Sequence, residues 1–113
     1  MMKQLNRMVA VGIVAVVGAM AVQAVRAADA TAGKAVFSHK CQICHGADGN
    51  GNPGMANALH VKFVPLSSDE VQKMSDADLK TVITQGKGKM KPVQGLSDAD
   101  VGNVIAFIRT LKK

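Results

Sequence analysis

Cys41-Gln42-Ile43-Cys44-His45 gathers the reactive side chains of this sequence into five positions: both cysteines of the 113 residues and one of three histidines. Two thiols three positions apart suit a dithiol–disulfide redox pair, part of a zinc site, or the anchors of a covalent haem. A redox pair of this spacing normally follows a strand and opens a helix in a larger βαβ unit, and no segment here alternates with strand period. A closed zinc site needs four ligands, and no second Cys/His pair stands at zinc spacing. The string does match the haem-attachment pattern in full. Two thiols reach the two vinyl groups on one porphyrin edge, forming thioethers, and the next residue sets an imidazole under the iron. The expectation is one covalent haem c on Cys41 and Cys44, with His45 as proximal ligand.

An iron held by one histidine needs a decision about its sixth position, for which the sequence offers Met55, Met74, Met90, His39 and His60. Met74 is spaced from Val71 as a core residue would be. Met55 follows His45 across a glycine-rich loop that could fold over the ring. Met90 lies in Gly86-Lys87-Gly88-Lys89-Met90-Lys91-Pro92, where an apolar thioether among lysines needs a reason to point inward. Iron supplies one, and Met90 is the choice.

The elements that must position these residues read as helices. Thr31 precedes a stretch to about Lys40, with Gly33, Val36 and Phe37 on one face. Residues 46–54 are dense in turn formers and read as loop. They look superficially like a calcium loop through Asp48, Asn50 and Asn52, but Pro53 and Leu59 stand where that loop needs Gly and Glu. Ser67-Ser68-Asp69-Glu70 has capping-box spacing and starts a helix through Met74. Ser75-Asp76-Ala77-Asp78 opens another, with Leu79, Val82 and Ile83 inward and Gly86 ending it. Ser97-Asp98-Ala99-Asp100 opens the last, carrying a stripe of Val101, Val104, Ile105, Ile108 and Leu111. The fold class is all-α.

Residues 1–27 have the layout of a secretory signal peptide. Lys3 and Arg7 precede an uncharged, mostly apolar run from Met8 to Val25, and Val25-Arg26-Ala27 offers a cleavage site. The alternative is an uncleaved membrane anchor, since the run approaches the length of about 20 residues that a span needs. Cleavage removes Lys3, Arg7 and Arg26 and no acidic residue. Fourteen basic residues become eleven against eight acidic ones, and the formal charge falls from +6 to +3. Two ionised propionates lower it further. With no aromatic residues among dispersed lysines, nucleic-acid binding is set aside. The remaining domain, residues 28–113, is small for a single hydrophobic core and has no Trp, no Tyr and three Phe. A large flat cofactor would fill the centre.

Cys41-x-x-Cys44-His45, Met90 ahead of Pro92, and a last helix ending Ala106-Phe107-Ile108-Arg109-Thr110-Leu111 together resemble the class I cytochromes c, in particular small soluble bacterial monohaem members. The likeness covers residues 30–111. It implies about four short helices wrapped around one covalently bound haem, His45 and Met90 as axial ligands, and a crossing of first and last helices where Gly33 and Phe37 meet Phe107. Lys91 departs from the pattern, because many members have Met directly followed by Pro.

With both axial positions filled by protein, substrate has no easy access to iron. The expected function is therefore that of a non-enzymatic, monomeric, periplasmic carrier passing single electrons between redox proteins. Lys87, Lys89 and Lys91, with Lys62 and Lys80 as additions, form a basic rim for acidic partners. The rival readings are a haem sensor or peroxidase-like protein with a labile Met90, a bis-His variant using His39 or His60, and a non-haem dithiol at Cys41 and Cys44.

Overall fold

Side-chain caps start most of the helices in this chain. The computed structural model describes residues 27–113, and apart from Ala27 the leader assigned to residues 1–27 lies outside them. Helix α1 spans Ala30–Lys40, and its first N–H groups, at Thr31 and Ala32, are accepted by the Asp29 carboxylate. Asp29 thus holds the capping position just ahead of Thr31, as its short acceptor side chain and the helix dipole favour. The single turn α2, Gln42–His45, follows directly. Helix α3, Pro53–Leu59, has Asn52 as N-cap and proline at its first position. The expected loop therefore ends at Asn52, and Pro53 and Gly54 are helical.

Helix α4, Asp69–Gln72, is capped by Ser68, one residue later than the spacing implied, and it stops short of Met74. Helix α5, Asp76–Gln85, is capped by Ser75 and ends at Gly86. Helix α6, Asp98–Thr110, carries a capping box in which Ser97 accepts from the Asp100 amide and Asp100 accepts from the Ser97 amide. The four expected helices correspond to α1, α4, α5 and α6, with α2 and α3 in addition. Among the described residues there is no strand, and an isolated bridge joins Lys87 and Met90.

The core is organised on α6. Val101, Val104, Ile105, Phe107 and Ile108 are buried there, against Phe37 of α1, Val71 of α4, and Leu79 and Ile83 of α5. Each such side chain contributes roughly 1.5–3 kcal/mol on burial, so α6 is the element the others depend on most. Helices α1 and α6 cross with the Phe37 and Phe107 rings 5.0 Å apart and tilted by 55°. The crossing is close because residue 33 is glycine: a Cβ there would overlap the carbonyl of Asn103. The expected meeting of Gly33, Phe37 and Phe107 is present.

Polar side chains complete the frame. Arg109 donates to the carbonyls of Gln72 (2.9 Å) and Met74 (2.6 Å) and to Asp76 (2.8 Å). The Gln72 amide donates to the carbonyls of Leu66 (2.8 Å) and Ile108 (2.9 Å). These bonds fasten the α4–α5 corner to the end of α6. They give side-chain donors to carbonyls at the end of α4, in the segments flanking it and in the last turn of α6.

Candidate haem site

Cys41 ends α1 and begins the next turn. Its N–H donates to Phe37 O (2.9 Å), while its carbonyl accepts from Cys44 N–H (3.2 Å) and His45 N–H (3.0 Å). Residues i, i+3 and i+4 of one turn share a face, so both thiols and the imidazole are presented together. Both cysteines are free thiols, Cys41 buried and Cys44 half-buried. Burial, with the neighbouring Cys44 as a smaller contribution, pushes the Cys41 thiol up to about 11. Burial also lowers the pKa of His45, which favours the neutral imidazole that a metal requires. His45 Nδ1 is buried and has no hydrogen-bond partner.

The loop after His45 folds back on it. Gly51 N–H donates to His45 O (2.6 Å) and Asn52 N–H to Cys44 O (2.8 Å), while the Asn52 side-chain amide donates to Ile43 O (3.2 Å). Asn52 Oδ1 at the same time accepts from Gly54 N–H (2.9 Å) and Met55 N–H (3.4 Å). One asparagine thus joins the end of α2 to the start of α3. Phe63, from the returning segment, packs beside the His45 ring with centroids 5.7 Å apart. Sequence reasoning assigned neither Asn52 nor Phe63 a role at this site. The Asn-Pro pair, an N-cap followed by proline at the first helical position, is the signal that could have found Asn52.

Met90 stands apart in the chain, in the turn after α5. Lys87 N–H donates to Met90 O (2.9 Å) and Met90 N–H to Lys87 O (3.0 Å), closing a tight loop. Within it Met90 is half-buried while Lys87, Lys89 and Lys91 are exposed. Of the competing ligands, Met74 packs against the core, as its spacing from Val71 implied, and His39 and His60 are exposed.

A second set of apolar residues, among them Phe63 beside the His45 ring, stands apart from the core. Met55, Leu59, Val61, Phe63, Val82 and Met90 are half-buried yet lie outside the core cluster and the side chains packed on it. Half-buried apolar surface that does not join the core marks a place where something else is to be covered. Free thiols on one turn, a neutral imidazole beside them and this apolar set fit a covalently attached haem.

Comparison with known proteins agrees. Residues 28–108 match the family described as cytochrome c oxidase, cbb3-type, subunit III. The chain belongs to this family of c-type cytochromes. Cytochrome c-554(547) of Halothiobacillus neapolitanus is 31% identical over 96 residues, spanning 76% of this chain and all of that protein. Cytochrome c6 of a Picosynechococcus species is 37% identical over 89 residues, 73% of each chain. Among solved structures, the KustC0563 c-type cytochrome superposes with a TM-score of 0.61 at 27% identity, covering 72% of this chain and 98% of that one. A c-type cytochrome carries covalently bound haem c and transfers electrons, with redox proteins as partners. The all-α cytochrome c fold read from the sequence is the fold observed. No helix among the described residues is long and apolar enough to cross a membrane.

Proposed function

We propose that Cys41 and Cys44 hold one haem through thioether bonds, that His45 and Met90 ligate its iron, and that the chain is a one-electron carrier working by outer-sphere transfer. The observation that carries this reading is Met90, half-buried in a turn whose lysines are all exposed. Bound haem supplies the Fe(III)/Fe(II) couple. His45, kept neutral by burial, offers a nitrogen lone pair. Met90 offers a thioether, a soft donor that favours reduced iron and raises the potential. With both positions taken by protein, no site is left for substrate on the metal, which supports a carrier over a sensor or peroxidase.

The carrier is exported in this reading. Residues 1–27 direct it to the periplasm and are removed, leaving residues 28–113 as a monomeric domain. Lys87, Lys89 and Lys91 enter no ion pair among the described residues, and they form a basic rim for an acidic partner. Lys80 is paired with Asp98 at 3.4 Å and contributes less. Electron-transfer rates should fall as salt screens this rim, and rates indifferent to ionic strength would remove it.

Spectroscopy of the protein matured in a periplasm tests the ligation. The mass should equal residues 28–113 plus one haem. The oxidised form should show the weak charge-transfer absorption of a thioether–iron bond at the red end of the visible range. Met90→Ala should abolish that absorption and lower the potential; its persistence in the variant would exclude Met90. A strongly negative potential in the parent protein would also count against it.

A further inference from the structure

The bond that the proposed processing breaks, between Ala27 and Ala28, lies one residue ahead of a fixed point. Asp29 N–H donates to Asn103 Oδ1 of α6 at 2.8 Å. The Asp29 carbonyl accepts from Gly33 N–H at 2.9 Å, and its Oδ1 accepts from Thr31 N–H and Ala32 N–H. Its N–H, its carbonyl and one carboxylate oxygen are thus committed to α6 and to the first turn of α1. Gly33, one turn on, sits so close to the Asn103 carbonyl that a Cβ would overlap it. Asn103 therefore holds α1 through its side chain at one residue and through its main chain at another.

Ala28, the single residue between, lines a surface groove with Asp76 and Lys80 of α5 and Asp98 and Val101 of α6. The two helices stand beside the product side of the bond. Ala27, Ala28 and Asp29 are exposed, so water reaches this stretch freely. A peptidase needs more than access for water. It takes its substrate as an extended strand, pairing with main-chain N–H and C=O groups on both sides of the bond. One residue reaches at most about 3.6 Å, too little to lift such a strand clear of α5 and α6 while Asp29 stays bonded.

We infer that docking of α1 on α6 through Asn103 closes the Ala27–Ala28 bond to the leader peptidase, so that the leader is removed before this contact forms or while it is open. The inference rests on the proposed processing after Ala27. Hydrolysis breaks the peptide C–N bond with one water, leaving the Ala27 carboxylate and the Ala28 ammonium. In a folded chain its rate follows the population in which the first turn of α1 has left α6. Haem, by stabilising the fold, lowers that population. A chain that acquires haem and folds first keeps its leader, and one processed first is released. The order of events thus decides between a free carrier and a tethered one.

The test uses the full chain, loaded with haem in the absence of leader peptidase and then exposed to the purified enzyme in detergent, with mass reporting cleavage. A synthetic peptide of residues 20–35 supplies the unfolded reference. The folded parent should be cut more than about tenfold more slowly than the peptide. Inserting Gly-Ser-Gly-Ser between Ala28 and Asp29 adds up to about 14 Å of reach and leaves the Asn103 contact intact. Relative to a peptide carrying the same insertion, this folded variant should regain about tenfold or more in rate. Asn103→Ala should speed cleavage roughly threefold to tenfold, the worth of one hydrogen bond. If that variant does not fold, the insertion decides alone. A folded parent cut as fast as the peptide overturns the inference, and so does an insertion that leaves the rate unchanged. A peptide that is not cut after Ala27 removes instead the processing reading beneath it.

Discussion

Gly33 of α1 rests directly on the main-chain carbonyl of Asn103 in α6, so that the two backbones, not two side chains, form the closest point of the helix crossing. The N-terminal end of α1 is secured on the same partner, since Asp29 N–H donates to Asn103 Oδ1 at 2.8 Å. Phe37 then continues the contact one turn further on, against Phe107.

Gly33→Ala weighs two opposed effects at this contact. Alanine is the better helix former by about 1 kcal/mol. Its Cβ, however, would collide with a backbone oxygen that no rotamer change can move, and overpacking of this kind costs typically 1–3 kcal/mol. The collision should win. We expect Gly33→Ala to lower the denaturant midpoint of the haem-loaded protein, by about 1–2 kcal/mol in stability, and Gly33→Val to lower it further. A midpoint equal to the parent's would mean that the helices can separate without cost.

Arg109 and Lys80 make contrasting ion pairs. The Arg109–Asp76 contact at 2.8 Å is one of several bonds from a half-buried guanidinium, two of which reach main-chain carbonyls. Lys80 and Asp98 meet at 3.4 Å with side chains 51% and 93% exposed. Arg109→Gln should cost about 1.5–3 kcal/mol, because carbonyls lose charged donors that water cannot fully replace. Arg109→Lys should recover only part, since an ammonium cannot span the fork. Lys80→Gln should change stability by less than about 0.5 kcal/mol. Urea unfolding of the three variants checks the order, and a Lys80 effect as large as that of Arg109 would contradict it.

Sequence reasoning recovered what local pattern encodes. The α6 stripe was legible because core residues recur at the helical period, and the haem motif because its chemistry is contained in five adjacent residues. The start of α3 was missed because Gly-Asn-Pro-Gly is written in turn-forming residues, and a cap and a turn use the same ones. Phe63 beside His45 and Arg109 over the α4–α5 corner have no local signature. Each depends on where a distant segment returns, and an alternation or stripe carries no information about that. The half-burial of Met90 was legible for a different reason: an apolar residue among lysines contradicts its surroundings, and the contradiction points inward.

Asp48 gives the site loop a pH dependence whose sign follows from its bonds. Its carboxylate accepts from the Asn50 amide N–H (3.0 Å) and from the Asn50 side chain (2.9 Å). The Asn50 backbone donor is the main cause that holds the carboxyl below its ordinary value of 3.8, with slight desolvation opposing. A carboxyl lowered on folding stabilises the folded state above its ordinary value, and that contribution is lost as pH falls through the lower folded value. The parent should therefore exceed Asp48→Asn in stability at neutral pH, with the gap closing below pH 3.8. The group is exposed, so the gap should also shrink with salt. An NMR titration of the Asp48 carboxyl with its midpoint at or above 3.8 would refute the assignment.

Asn52 separates capping from tethering, because its two side-chain atoms do different work. Oδ1 caps α3 through Gly54 and Met55, while Nδ2 donates to Ile43 O in the attachment turn. Asn52→Ala removes both: about 1 kcal/mol for the cap and about 1 kcal/mol for the hydrogen bond. Asn52→Asp keeps a capping oxygen and places negative charge at a helix N-terminus, worth about 0.3–1 kcal/mol in its favour. It also turns an oxygen toward Ile43 O where a donor stood, so tethering is lost and repulsion replaces it. Stability should rank parent, Asn52→Asp, Asn52→Ala. Hydrogen exchange should distinguish the two functions. In Asn52→Asp the Met55 amide should stay protected while the Gly51 and Asn52 amides, bonded to His45 O and Cys44 O, open faster than in the parent. If all three amides respond alike, cap and tether are one cooperative unit, and α3 is held to the attachment turn by the loop as a whole.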